Sequence, residues 1–258
     1  MTARPEAVLL DIDGVLVVGD QPVPGAVRAV HWLREQGIPF RCVSNATRRS
    51  RSAIAARLAW FGFPVEPSLV FTPATAAVRR IRADGADSCL LLATGDVHLD
   101  LLAGGCRLDD RDPPFVVVGD AGDAWTYGSL NRAFRLLTGG ARLLALERDR
   151  YWRDRDGLSL GAGPFVAALE FAAGCTAEVM GKPSPAFFRL ALDDLGCAAP
   201  SVLMLGDDPV ADIQGARSAG CTGWLVRTGK FRIEDLGTVP VRPDRVIGSV
   251  ADLPALLE

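Results

Sequence analysis

Short apolar runs alternate with amphipathic, helix-like stretches along most of the chain. Ala7-Val8-Leu9-Leu10 carries no polar position before Asp11. A run without a polar face suits a central parallel strand covered by helices on both sides. Pro24 and Gly25 then open a helix that Gly37 closes, the usual order of the two punctuating residues. A strand over Phe40 to Ser44 passes through Asn45 and Thr47 into a helix around Ser52 to Phe61, with Gly62 as its stop. The same rhythm returns late in the chain. Lys182-Pro183-Ser184-Pro185 starts a helix to Leu195, and Val202 to Leu205 is a fully apolar strand ending in Gly206-Asp207-Asp208. A helix near Ala211 to Ala219 and a strand at Gly223 to Val226 follow.

The middle, from about Thr72 to Thr176, is a second α/β series. It predicts helices near Ala74 to Arg82, Ser129 to Leu137 and Phe165 to Ala173. Strands are expected at Cys89 to Ala93, Phe115 to Gly119 and Arg142 to Leu146, with a charged, hairpin-like tract over Glu147 to Gly157. That is enough to build a core of its own. The expected architecture is α/β: a doubly wound, Rossmann-like parallel-sheet domain of residues 1–72 and 177–258, interrupted by an inserted α/β domain of residues 73–176.

Composition narrows the function. The 258 residues include 28 Lys plus Arg and 31 Asp plus Glu, a net charge of −3, which argues against a nucleic-acid partner. At 49% hydrophobic and 23% charged, the chain is not a disordered one. The stretch nearest to a membrane span, Gly157 to Ala177, is broken by Gly161, Gly163, Pro164 and Glu170, so no membrane partner is expected. The short apolar run Ala7 to Leu10 before Asp11 does not read as a secretory leader, so none is expected. Six cysteines lie far apart with no CxxC pair, and are expected as free thiols in a reducing cytoplasm. Trp60, Phe61 and Phe63 are expected in the core, and Arg48, Arg49 and Arg51 at a solvated helix start.

Chemistry-bearing residues fall where an open α/β sheet puts its site, at the carboxyl ends of strands. Asp11 and Asp13 are two apart, so both carboxylates face one way, and Gly14 allows a sharp turn. A polar strand end with a turn would look the same. Ser44-Asn45 offers a hydroxyl and an amide; these residues also suit a helix N-cap, and a helix N-terminus can bind phosphate. Lys182 sits near a helix start, the unfavourable end of the dipole for a cation, which points to an anionic partner. Asp207, Asp208 and Asp212 crowd the end of one strand. They could cap the following helix, but their mutual repulsion favours a bound cation. Oxygen-only ligands suit Mg²⁺.

In this order, Asp11-Ile12-Asp13-Gly14-Val15-Leu16, Ser44, Gly181-Lys182-Pro183-Ser184-Pro185 and Gly206-Asp207-Asp208-Pro209-Val210-Ala211-Asp212 resemble the four motifs of the haloacid dehalogenase (HAD) superfamily. The long insertion resembles the large α/β cap of its second type. The resemblance implies a Mg²⁺-dependent phosphatase acting on a small phosphorylated substrate. Asp11 would be the nucleophile and Asp13 the general acid and base. Ser44, Asn45 and Lys182 would bind phosphate. Asp11, the backbone carbonyl of Asp13, and Asp207 would hold the metal, with Asp208 and Asp212 in support. It also implies that a homodimer through the cap is open. The competing readings are a phosphotransferase or phosphomutase on the same scaffold, and a non-hydrolytic phosphoacceptor module. His31 and His98 have no expected catalytic part.

Overall fold

Ala7–Asp11 forms strand β1, buried at every residue. The computed structural model describes residues 4–153, 157–232 and 241–258. After β1 come β2 (Val17–Val18), β3 (Gln21–Pro22), α1 (Ala26–Glu35), β4 (Phe40–Val43), α2 (Arg51–Trp60) and β5 (Val70–Phe71). Next are α3 (Pro73–Ala83), β6 (Ser88–Leu92), α4 (His98–Ala103), β7 (Arg107–Leu108), β8 (Phe115–Val118), α5 (Tyr127–Thr138) and β9 (Arg142–Ala145). The antiparallel pair β10 (Tyr151–Arg153) and β11 (Leu158–Leu160) precedes α6 (Gly163–Ala173) and β12 (Glu178–Val179). The chain continues through α7 (Pro185–Leu195), β13 (Val202–Gly206), a π-type segment Pro209–Gln214 and α8 (Gly215–Ser218). It ends with β14 (Thr222–Val226), β15 (Arg245–Ile247) and α9 (Leu253–Leu257).

Two units result. The first comprises Met1–Ser44, Ser52–Phe71 and Lys182–Glu258; the second comprises Asn45–Arg51 and Thr72–Gly181. Residues 45–51, 72 and 177–181, assigned by the sequence to the first domain, therefore cluster with the second.

In the first unit, a six-stranded sheet runs β15-β14-β13-β1-β4-β5, every pair parallel. The order reverses at β1, the switch point of a doubly wound sheet. Helix α7 shows why these elements form where they do. Ser184 caps it by accepting the Ala186 N–H, Pro185 fixes the first turn, and Gly196 ends it in the left-handed conformation. Its Phe187 and Phe188 are fully buried. Phe187 meets Phe71 edge to face, with centroids 5.3 Å apart. Burying each such ring contributes roughly 1.5–3 kcal/mol.

The second unit holds a parallel sheet ordered β12-β9-β8-β6-β7. Its core packs Leu90, Val116, Val118 and Leu143 against Ala133, Val166 and Leu169.

Several expectations are corrected. Trp60 is 79% exposed, whereas Phe63 is buried. Helix α2 buries Ile54, Ala55 and Leu58, and at about 100° per residue Trp60 points away from that face. Arg48 and Arg51 are half-buried partners of Asp120 and Asp100, with only Arg49 exposed. The helix expected over Ala211 to Ala219 is split into the π-type segment and α8. Part of the charged tract, residues 154–156, lies outside the described residues.

Candidate active site

Strand β1 carries Asp11 to the carboxyl edge of the first unit's sheet. Leu10 pairs with Leu205 of β13, so the next residues on the two strands are Asp11 and Gly206, with Asp207 one step beyond. Lys182 enters just before α7. Its Nζ lies 2.6 Å from Asp11 Oδ1 and 2.6 Å from Asp212 Oδ1, with all three side chains buried. The anionic partners that its position near a helix start called for are therefore two of the protein's own carboxylates. Among the described residues, no donor engages Asp11 Oδ2.

Asp207 is enclosed by backbone. Its Oδ2 accepts the Lys230 N–H at 2.6 Å. Gly14, at φ +96°, passes so close that an added Cβ would stand 2.0 Å from that oxygen, and at Gly229 the figure is 2.1 Å. Only glycine tolerates both the conformation and the approach. Asp212 Oδ2 accepts the Asp208 N–H at 3.1 Å.

Asp208 faces away from this group: its Oδ1 accepts the N–H groups of Val210 and Ala211, each at 2.9 Å, which is N-terminal capping. Asp13 also stands apart. Its side chain is 69% exposed and meets Arg57, with Nη1 3.2 Å from Oδ1. Nothing in the sequence marked Arg57, which reaches Asp13 only through the placement of α2. Ser44 is buried just past β4, its N–H donating to Phe71 O at 3.1 Å. Asn45 clusters with the second unit, where its Oδ1 lies against Gly181.

Asp11, Asp207 and Asp212 each offer an oxygen, and those atoms lie within 4.8 Å of one another. Opposite ligands of one octahedral Mg²⁺ stand about 4.2 Å apart, so small side-chain shifts suffice. Three carboxylates against one lysine leave a charge of −2 when ionised, in a buried place. A divalent cation fits both the donor chemistry and that charge. The electrostatics agree. Burial raises the Asp11 carboxyl well above its ordinary range, and the Asp212 charge adds to this against the pull of Lys182. Burial pushes Asp207 up to about 6, opposed by the Lys230 N–H. Lys182 is held protonated, because the charges of Asp11 and Asp212 outweigh its own burial.

Residues 8–106 match the family model described as haloacid dehalogenase-like hydrolase, and residues 179–253 match a HAD-hydrolase-like model. The chain is 39% identical over 252 residues to a Xenopus laevis protein named phospholysine phosphohistidine inorganic pyrophosphate phosphatase, covering 95% of this chain and 92% of the relative. The chain belongs to the haloacid dehalogenase-like hydrolases. Haloacid dehalogenase-like hydrolase domain-containing protein 2 of Mus musculus is 40% identical over 230 residues, covering 89% of this chain and 87% of the relative. Among solved structures of the family, a p-nitrophenyl phosphatase from Archaeoglobus fulgidus superposes with a TM-score of 0.90 at 29% identity, over 98% of this chain and 99% of that one. NagD from E. coli K-12 gives 0.87 at 28% identity, over 98% of each chain. The HAD-like fold with a parallel core sheet agrees with the sequence reading, and the chain is a hydrolase. No helix among the described residues is long and apolar enough to cross a membrane.

Proposed function

We propose that this hydrolase is a Mg²⁺-dependent phosphatase that cleaves a small phosphorylated substrate through an aspartyl-phosphate on Asp11. The observation that carries the reading is the asymmetry of that carboxylate. Lys182 holds Oδ1 at 2.6 Å, and no described residue donates to Oδ2. Oδ2 attacks phosphorus and forms the new P–O bond as the bond to the leaving group breaks. Asp13, on its exposed arm beside Arg57, gives the leaving group its proton. It then takes a proton from the water that attacks the aspartyl-phosphate, which releases phosphate and restores Asp11. Ser44 and Asn45 bind the phosphoryl oxygens.

The charges support a metal in this place. A phosphate dianion about 3.5 Å from a carboxylate, at an effective dielectric of about 20, meets roughly 9 kcal/mol of repulsion. Lys182 could return a similar amount, but Asp11 and Asp212 already share it. Asp11, Asp207 and the Asp13 carbonyl would hold Mg²⁺, which would supply the remaining positive charge. Asp212 supports this arrangement by fixing Lys182, whereas Asp208 serves the following turn.

The names of the relatives suggest the substrates to try: inorganic pyrophosphate, phospholysine, phosphohistidine and p-nitrophenyl phosphate. Six unbridged cysteines support a reducing, cytoplasmic setting. The exposed apolar side chains of β10 and β11 support a homodimer through the inserted domain. With Mg²⁺, the purified protein is expected to release phosphate from p-nitrophenyl phosphate, and EDTA to stop it. Asp11→Asn should keep its circular dichroism spectrum and lose turnover by at least about 10³-fold. Unchanged turnover in that variant would refute the nucleophile, and transfer to a sugar phosphate in place of water would mark a phosphotransferase.

A further inference from the structure

The second unit carries a set of acids that the proposed chemistry does not use. Asp96 follows Gly95 in the turn after β6, Asp100 lies in the first turn of α4, and Asp120 follows β8. All three converge on the short segment after Ser44. Asp96 Oδ1 accepts the Ser50 N–H and its Oδ2 accepts the Ser50 hydroxyl, both at 2.8 Å. Both oxygens of Asp100 accept the Arg51 N–H, at 3.0 and 3.1 Å, and the Asp100 side chain is only 5% exposed. The Asp96 N–H donates to Arg48 O at 3.0 Å. That approach needs Gly95, where an added Cβ would stand 2.0 Å from the same oxygen. Asp120 takes the Arg48 guanidinium through Nη2 at 2.9 Å, and its own N–H donates to the Thr47 hydroxyl at 3.3 Å.

Four of the five residues from 47 to 51 are thus held by name, through backbone as well as side chain. Asn45 is three residues from Arg48, a contour of about 10 Å at most. A chain pinned that close has little freedom to wander. Surface ion pairs would contribute almost nothing to such an arrangement, but buried carboxylates on backbone N–H groups are charge-assisted and directional.

We infer that Asp96 and Asp100 are positioning residues of this hydrolase. They fix the 47–51 segment and, through it, the placement of Asn45, two residues before it in the same unit, as a phosphate ligand. The inference rests on the phosphatase reading for its catalytic consequence, and on geometry alone for the clamp itself. Loosening the segment weakens the grip on phosphate and leaves the metal group of Asp11 and Asp207 as it was.

Asp100→Ala removes the acceptor of the Arg51 N–H, and Asp100→Asn keeps one oxygen for it. With p-nitrophenyl phosphate and Mg²⁺, Asp100→Ala is expected to raise KM, and the inhibition constant of inorganic phosphate with it, so that kcat/KM falls about 10- to 100-fold. The Mg²⁺ activation midpoint should stay within about twofold, and Asp100→Asn should recover most of the loss. Amide hydrogen exchange of Ser50 and Arg51 reads the clamp without turnover. It is expected to be slow in the native protein and at least about tenfold faster in Asp100→Ala. If Asp100→Ala fails to fold, the same exchange and inhibition measurements on Asp96→Asn decide the matter. KM and phosphate inhibition within twofold of native, or losses shared equally by kcat, the Mg²⁺ midpoint and thermal stability, would overturn the inference. An inactive native protein with protected Ser50 and Arg51 amides would sink the phosphatase reading and the positioning role with it, but leave the clamp standing.

Discussion

Asp207 is a carboxylate buried out of reach of water, and that burial, with the charge of Asp212, outweighs the pull of Lys230 and Lys182. Its folded-state pKa of about 6 lies above the ordinary aspartate value, and Asp11 is shifted in the same direction. At these two carboxyls the folded, metal-free protein therefore binds protons more tightly than the unfolded chain. Between about pH 4 and 6 the native state keeps protons that the unfolded state has lost, so stability falls as pH rises through that window. Mg²⁺ bound to the ionised carboxylates would act against that trend. Thermal melts in EDTA should show the midpoint dropping from about pH 4 to 6. Saturating Mg²⁺ should raise the midpoint little at pH 4 and most at pH 7. An EDTA melting curve that rises across the same window would mean that the buried acids are not paired as described.

At the scale of elements, two neighbouring acids in the same sequence motif do different work. Asp212 reaches back from the π-type segment to Lys182, whereas Asp208 caps that segment through Val210 and Ala211. Asp208→Ala should accordingly cost about 1 kcal/mol in a denaturant melt and leave the Mg²⁺ activation midpoint unchanged. A large loss of Mg²⁺ affinity would place Asp208 at the metal. The sequence put three acids at this strand end and could not separate their roles, because capping and metal binding use the same residue types. Its reading of the long elements fared better. The apolar runs of β1 and β13 and the Pro-to-Gly frame of α7 are local signals. The two-residue edge strands β7 and β12 and the short helix α4 were too brief to leave any periodicity. Missing α4 concealed Asp100 as a partner of Arg51.

For the whole molecule, β10 and β11 form a separate antiparallel pair with Tyr151, Leu158 and Leu160 exposed by 56%, 63% and 62%. An apolar surface of this kind on a short hairpin is commonly covered by a partner, and a second copy is the partner proposed above. Light scattering is expected to give a dimer mass, and Leu158→Asp to shift it to the monomer while the circular dichroism spectrum is kept. A native monomer at high concentration would remove this element of the proposal.

The order of the longer strands and helices, the parallel sheet, the α/β series in the middle and the set of residues able to do phosphoryl chemistry are all written locally in the chain. Each depends on which side chains lie within a few positions of one another. The tertiary structure alone decided which acids share Lys182, why Asp13 meets Arg57, and why Arg48 and Arg51 are drawn in from solvent. Those outcomes turn on contacts between residues tens to nearly two hundred positions apart, and burial, charge and side-chain direction there are set by packing that no local pattern records.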